Sequence, residues 1–266
     1  MLSRSLEKAL AAYKGRNAEQ SRQAHDRPPD EAREQHQQAR GQYIKSMVYG
    51  GLDGIVTTFA VVAGVAGASL SAGVVLIMGF ANLVADGLSM AIGDFLSTKA
   101  ENEYNRAERE RELWEVENYP EGEKREMVEL YTSQGMNPDD ARQVTEVLAR
   151  NRQAWVGVMM AEELGIVADE SSPWKHALAT FLSFAVFGLI PVAAYVVSRF
   201  LPALAPFTFT LSSLLTGLTL FILGALKSRF TKRSWLASGA EMLVVGGLAA
   251  AAAYGIGLGL SRLVGA

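Results

Sequence analysis

Residues 50–67 read GGLDGIVTTFAVVAGVAG, an apolar, glycine-rich stretch with one carboxylate, Asp53, near its beginning. A helix needs roughly 20 mostly apolar residues to cross the hydrocarbon core of a bilayer. A charged side chain inside that core costs roughly a few kcal/mol or more. We therefore predict that this stretch belongs to a membrane-spanning helix, in which Asp53 has either a compensating partner or a functional role.

Windows of similar length and composition occur at four other places in the chain. The third window contains Pro191, which can kink a spanning helix without breaking it. The sequence therefore predicts an all-α integral membrane protein with five transmembrane helices. The predicted spans are residues 44–68, 72–97, 176–199, 207–226 and 235–261.

An acidic insertion separates the second and third predicted spans. Residues 99–175 contain 18 Asp and Glu against 10 Lys and Arg, a local charge of −8. Residues 71–119 contain no proline, so we expect the second span to continue into the insertion as one helix about 70 Å long. Pro120 should begin a second helix, and Asn137 should cap a third. These elements predict a small helical bundle.

The loops between the spans predict an orientation. The loop KSRFTKR at residues 227–233 has four basic residues, whereas GASLSAG at residues 67–73 has none. The positive-inside rule then places the N-terminus and the acidic insertion in the cytoplasm. The predicted domains are a partly helical, solvated cytoplasmic arm (1–42), helices one and two (43–97), a cytoplasmic metal-binding domain (98–172) and helices three to five (173–266).

Composition and motifs exclude several classes of function. The chain has no cysteine, which excludes disulfides, thiolate metal sites and cysteine nucleophiles. It has no phosphate-binding loop or zinc-binding helix motif, and an acidic insertion is a poor surface for nucleic acid. An iron-oxidising enzyme of the ferritin type would need Glu-x-x-His, which the insertion lacks. We therefore expect a non-enzymatic protein with no nucleic-acid partner.

Two polar stripes are predicted inside the membrane, because side chains four residues apart share a helix face. On the first span, one such stripe consists of Lys45, Tyr49, Asp53 and Thr57. The stripe on the second span consists of Asn82, Asp86, Met90 and Asp94. These stripes have two explanations: polar side chains that pair between helices, or a path for a cation or proton, which is the default hypothesis for intramembrane carboxylates.

Met90 favours a metal path over a path for protons alone. A thioether is a poor ligand for Mg²⁺ or Ca²⁺, whereas a thioether with a carboxylate suits a borderline ion such as Fe²⁺. A carboxylate partly shielded from water holds a proton more readily, so Asp53 could exchange a metal for a proton. Fe²⁺, Mn²⁺, Co²⁺ and Zn²⁺ all accept these ligand types, and each is a candidate substrate.

The insertion also has a pattern of candidate metal ligands. Two pairs of glutamates, each with a spacing of three, can share a helix face and could meet across the break at Pro120. The segment WVGVMMAEELG at residues 155–165 adds thioethers and a further carboxylate. Alternatively, the acidic side chains are solvated and form pairs with nearby arginines. The candidate ligands are Glu112, Glu115, Glu123, Glu126, Met159, Met160 and Glu163.

Four segments resemble signatures of the vacuolar iron transporter family, and the resemblance covers about residues 43–261. The segments are YGGLDGIVTTFAVVAGVAGA (49–68), ADGLSMAIGDFLS (85–97), WVGVMMAEELG (155–165) and PWKHALATFLSFAVFGLIP (173–191). The resemblance implies a homodimer that exports Fe²⁺, and often Mn²⁺, from the cytosol in exchange for protons. It also implies that Asp53 and Met90 line the translocation path, and that the seven candidates in the insertion bind metal.

Two further expectations concern location and an alternative function. The alanine-rich sequence and the absence of a targeting segment point to a bacterial inner membrane, with a vacuolar membrane as the alternative. The second functional hypothesis is a membrane-anchored iron buffer or sensor, whose insertion binds iron without transporting it. The carboxylate at Asp53 argues against that hypothesis, because a buffer needs no charge inside the membrane.

Overall fold

The computed structural model describes most of the chain. The chain divides into two compact units, Met1–Gln42 and Tyr43–Ala266. In the first unit, helix α1 spans Ala18–His25, and the side chain of Asn17 accepts a hydrogen bond from the backbone N–H of Gln20 at 3.1 Å. Most described side chains of this helix are exposed, as expected for a solvated, partly helical arm. The described residues are 12–13, 15–25, 38–167, 171–231 and 234–265.

The remaining described elements are all helical, with no strand among the residues that the structure describes. Among the described residues, five helices are long and apolar enough to cross a membrane, which confirms the predicted all-α membrane class. In chain order the elements are α2 (Gln38–Gly67), α3 (Ala72–Asn118), α4 (Pro120–Ser133), α5 (Pro138–Leu148), α6 (Arg152–Glu162), α7 (Pro173–Phe200), a 3₁₀ helix (Pro202–Phe207), α8 (Thr208–Thr231) and α9 (Trp235–Val264).

Helix α3 runs unbroken from the membrane span into the insertion, as the absence of proline predicts. Its 47 residues extend over about 70 Å, and it ends at Asn118, where Pro120 begins α4. Gly135 adopts a positive φ of 98° after α4, and the Asn137 side chain then caps α5 by accepting a hydrogen bond from the Asp139 N–H at 2.9 Å. The predicted helix boundaries of the insertion are therefore confirmed.

The first and third spanning helices approach each other at two glycines. A Cβ added at Gly50 would lie 2.6 Å from the backbone oxygen of Thr180, and Gly54 faces the backbone of Phe184 in the same way. The spacing of four between the glycines brings both onto one face of α2. The close helix packing that this spacing predicts is therefore present, and its partner is α7.

Helix α7 continues through Pro191, which lies inside the helix and is buried. The Ser212 hydroxyl of α8 donates a hydrogen bond to the Pro191 carbonyl at 2.6 Å. Neighbouring polar side chains of this kind make proline tolerable in a spanning helix. The membrane part also contains a buried apolar cluster built by Phe59, Val62, Ala63, Val75, Val192, Tyr195 and Ala250.

The bundle has its own apolar core, formed where α4 and α6 pack on the end of α3. Trp155 at the start of α6 is 3% exposed, and Met127 of α4 is fully buried. This core fixes the positions of the acidic side chains beside it, because buried side chains are held by dense packing. The core residues are Val116, Met127, Trp155, Val156, Met159 and Met160.

Candidate functional site

The two polar stripes predicted in the membrane face each other in part, because Asp53 and Thr57 of α2 face α3, whereas Lys45 and Tyr49 are exposed. Asp53 and Asp86 are both half-buried, and their charges lie close enough to interact. The Asn82 amide donates to the hydroxyls of Thr58, at 3.2 Å, and Thr57, at 3.4 Å. The Thr57 hydroxyl in turn donates to the backbone oxygen of Asp53 at 2.8 Å. These contacts form a polar seam, defined here as Asp53, Thr57, Asn82 and Asp86.

Asp94 lies at the end of the α3 stripe that is nearest to the insertion, and it has a partner on a third helix. The hydroxyl of Thr180 on α7 donates a hydrogen bond to the Asp94 carboxylate. Met90, one turn from both Asp86 and Asp94, is half-buried. The α3 stripe therefore contacts α2 through Asn82 and α7 through Asp94.

A buried polar contact that the sequence did not predict joins the starts of α2 and α7. His176 is 8% exposed, and its Nδ1 lies 2.8 Å from the Ser46 hydroxyl. Its ring lies 4.9 Å from that of Tyr43. The spacing of four between His176 and Thr180 is a signal for this contact, because it places both on the face of α7 that packs against α2. The side chains of the other two histidines, His25 and His36, lie outside the described residues.

Two of the predicted glutamate ligands are buried in the bundle. Glu112 of α3 is 1% exposed and Glu123 of α4 is 5% exposed. The Oε2 atom of each carboxylate is buried without a hydrogen-bond partner among the described residues. An unpartnered buried acceptor is costly. A proton or a metal ion at these oxygens would remove that cost.

The electrostatic surroundings of Glu112 connect it to three other predicted ligands. Burial raises the pKa of Glu112 to about 7, and the Arg111 guanidinium opposes that rise. The carboxylates of Glu163, Glu115 and Glu126 raise it further. The Glu112 carboxylate is therefore partly protonated near neutral pH in the metal-free protein.

Glu123 and Glu163 belong to the same group of charges. Burial raises the pKa of Glu123 to about 7, and the carboxylates of Glu126 and Glu112 add to the rise. Burial also raises the pKa of Glu163, again with a contribution from Glu126, while Arg111 lowers it. The structure thus brings together all five predicted glutamates in one region of negative charge. We call this group, Glu112, Glu115, Glu123, Glu126 and Glu163, the glutamate cluster.

The two predicted thioether ligands precede Glu163 of this cluster in the sequence, but their side chains belong to the apolar core of the bundle. Met159 is fully buried and Met160 is 6% exposed, and both pack with Trp155 and Val116. Packing alone accounts for these contacts, because methionine is a common core residue.

Arg111 forms ion pairs with three glutamates beside or within the cluster. Its Nη2 lies 2.9 Å from Glu112 Oε1, and its Nη1 lies 2.6 Å from Glu115 Oε2. Glu108 accepts hydrogen bonds from Nε at 3.1 Å and from Nη2 at 2.9 Å. Among the residues that the structure describes, no three His, Cys, Asp or Glu side chains stand close enough to hold a metal ion together.

Helix α3 contributes residues to both the seam and the cluster, at places far apart along it. Asp86 and Glu112 are 26 positions apart on α3, which corresponds to about 39 Å along the helix axis. The cluster has carboxylate oxygens outside the spans predicted from the sequence, and the seam has carboxylates inside them. Helix α3 therefore carries carboxylates of both groups.

Comparison with known proteins identifies the family. The model of the VIT family matches residues 44–258. The chain is 42% identical over 274 residues to the vacuolar iron transporter of Toxoplasma gondii, an alignment that covers 99% of this chain and 91% of that protein. It is 35% identical to the vacuolar iron transporter of Plasmodium falciparum, covering 98% of each chain, and 33% identical to vacuolar iron transporter 1 of Oryza sativa, covering 81% of this chain and 84% of that protein. The length of these matches and the five membrane helices show that the chain is a membrane transporter and belongs to the VIT family.

Proposed function

We propose that this protein exports Fe²⁺, and also Mn²⁺, from the cytosol in exchange for protons. Family membership and the names of the relatives support iron as the transported substrate. One observation carries the rest of the proposal: the Oε2 atoms of Glu112 and Glu123 are buried without a hydrogen-bond partner in the described part of the chain, and they lie outside the predicted spans among three further carboxylates. Oxygens of this kind suit a divalent cation.

The first step is capture of the metal by the bundle. A divalent ion in the glutamate cluster gains carboxylate ligands and offsets their mutual repulsion. Because the pKa values of Glu112 and Glu123 are about 7, metal binding near neutral pH also releases protons. Met159 and Met160 are proposed to supply thioethers, which would favour Fe²⁺ or Co²⁺ over harder cations.

The second step is passage across the membrane through the polar seam. Asp53 and Asp86 provide negative charge between α2 and α3, and Met90 lies one turn further along α3. A proton that replaces the metal on Asp53 would cancel its charge, so the return of protons is coupled to the export of metal. Asn82 fixes the spacing of the two helices by bonding both threonines of α2.

The proposed assembly is a homodimer with its N-terminus and bundle in the cytoplasm. The basic loop at residues 227–233 supports this orientation. Exposed apolar side chains along α3, such as Val84 and Leu88, support contact with lipid or with a second copy. The names of the relatives favour a vacuolar membrane over the bacterial inner membrane predicted from composition.

Transport across vesicles with an imposed proton gradient tests the proposal. Wild-type protein should move Fe²⁺ and Mn²⁺ across the vesicle membrane. Protons should move in the opposite direction and change the pH of the lumen. Asp53→Ala should abolish metal flux, because it removes the seam carboxylate of α2. Glu123→Gln should reduce flux at low metal concentration, whereas Glu129→Gln, an exposed position on the same helix, should not.

The buffer or sensor hypothesis makes the opposite prediction for flux. If the intact protein binds metal through the bundle but moves none across the vesicle membrane, export is ruled out in favour of that hypothesis. Equal flux by wild type and Asp53→Ala would instead remove Asp53 from the path. The metal flux measured without an imposed proton gradient shows whether metal export requires exchange with protons.

A further inference from the structure

Arg111 forms ion pairs with two members of the glutamate cluster. Its guanidinium contacts Glu112 Oε1 at 2.9 Å and Glu115 Oε2 at 2.6 Å, so it occupies one oxygen on each of two predicted ligands. The other oxygen of Glu112, Oε2, is buried without a partner among the described residues. Arg111 therefore engages one side of the Glu112 carboxylate and leaves the other side free.

A metal ion and this guanidinium cannot share the cluster without cost. Both are attracted to the same carboxylates, and they repel each other. With Arg111 in place, the described part of the chain has no set of three acidic or histidine side chains in metal-binding geometry. Binding of a metal to three or more of these carboxylates thus requires side chains of the cluster to move, and the ion pairs of Arg111 hold two of them.

We propose that Arg111 is a resident counter-cation of the glutamate cluster, which neutralises Glu112 and Glu115 in the metal-free protein and releases them when a divalent metal binds. This inference rests on the proposed capture of metal by the bundle. It assigns to Arg111 a positioning role that sets the metal affinity of the cluster without contact between Arg111 and the metal.

Glu108 is the carboxylate with which Arg111 stays paired when it releases Glu112 and Glu115. It accepts two hydrogen bonds from the guanidinium, from Nε and Nη2, and it lies one turn before the cluster on the same helix. Glu108 is not one of the predicted metal ligands, so an ion pair with it does not occupy a ligand oxygen. Arg111 can therefore leave the two ligand carboxylates while it keeps a charged partner.

The test is Mn²⁺ binding to the full-length protein in detergent, measured by calorimetry at low salt and pH 8, above the pKa values of Glu112 and Glu123. Arg111→Gln should bind Mn²⁺ roughly three- to tenfold more tightly, because the competing charge is gone. Arg109→Gln is the matched control, since it removes the same charge two residues away, where the side chain bonds Gln153 instead. Its affinity should stay within about twofold of wild type.

Glu108→Gln should have the opposite effect and weaken Mn²⁺ binding, because Arg111 loses its alternative partner and holds Glu112 and Glu115 more firmly. Glu110→Gln, an exposed position on the same helix, controls for the loss of one negative charge. Opposite signs for Arg111→Gln and Glu108→Gln distinguish competition from a purely structural ion pair, whose loss would shift both variants in the same direction.

Unchanged or weaker Mn²⁺ binding by a folded Arg111→Gln protein would overturn the inference. If that variant does not fold, Arg111→Lys keeps the charge but loses the planar fork, and it should bind Mn²⁺ about twofold more tightly than wild type. Weaker binding by Arg111→Lys would overturn the inference as well. Absence of Mn²⁺ binding in the wild type is a distinct result, which rejects metal capture by the bundle itself.

Discussion

Gly50 of α2 faces the backbone carbonyl of Thr180 on α7 so closely that a Cβ at Gly50 would lie 2.6 Å from that oxygen. Thr180 also donates a hydrogen bond to Asp94 of α3. One residue of α7 thus contacts both helices that form the polar seam. The close approach at Gly50 therefore determines how α7 is placed against α2 and α3.

We expect Gly50→Ala to destabilise the membrane part by about 1–3 kcal/mol, because a Cβ would meet backbone atoms that cannot move away. Thermal unfolding of the purified protein in detergent measures the effect. Gly247→Ala on α9 is the control, since no atom lies within 4 Å of the Cβ it would add. Equal melting temperatures for the two variants would show that α7 shifts without cost.

The helices could be predicted from sequence, but their partners could not. Helix α3 was predictable because no proline interrupts residues 72–118 and Pro120 ends it. The spacing of four between Gly50 and Gly54 is typical of close helix packing, but the identity of the helix that packs against α2 there depends on contacts distant in the sequence. Similarly, the spacing of Glu112 and Glu115 placed them on one helix face, but it could not show that Glu112 is fully buried and Glu115 only half-buried, because burial depends on residues distant in the sequence.

The raised pKa values of Glu112 and Glu123 predict that the metal-free bundle loses stability as pH rises. Both groups have a pKa of about 7 in the folded protein, above the ordinary value of 4.5. The folded state therefore binds more protons than the unfolded state between pH 4.5 and 7, and its stability falls over that window. We expect a loss of about 1–3 kcal/mol per group, with little change above pH 8.

Hydrogen exchange of residues 108–130 at several pH values measures this loss locally. Glu112→Gln and Glu123→Gln should each flatten the pH dependence, because the amide does not titrate. Glu129→Gln should leave it unchanged, since that side chain is exposed. Mn²⁺ added at pH 7.5 should restore protection, because a ligand that binds only the folded state stabilises it. Stability that rises with pH between 4.5 and 7 would contradict the assignment of these two groups.

Thr180→Val separates the structural role of Asp94 from a role in transport. The substitution removes the donor to Asp94 but keeps the carboxylate and the shape of the side chain. We expect a loss of about 1–2 kcal/mol of stability. Metal flux per folded molecule should be nearly unchanged, because the seam residues Asp53 and Asp86 are untouched. A flux that falls to the level of Asp94→Ala would show that the Thr180–Asp94 pair itself acts in transport.

Met159 and Met160 can be tested separately as core residues and as ligands. Met→Leu keeps the volume, so each variant should lose less than about 1.5 kcal/mol of stability. If the thioethers bind metal, the affinity for Co²⁺ should fall more than the affinity for Mn²⁺, because the softer ion gains more from sulfur. Competition binding to the full-length protein gives this ratio directly.

Met127→Leu is the control for the methionine variants, because Met127 is fully buried in the same core and is not a predicted ligand. Its ratio of Co²⁺ to Mn²⁺ affinity should equal that of wild type. A ratio that stays constant in all three variants would assign Met159 and Met160 to packing alone. The glutamate cluster would then have to select among divalent ions with oxygen ligands only, and preference for Fe²⁺ over Mn²⁺ would have to arise in the membrane, where Met90 provides the remaining candidate thioether.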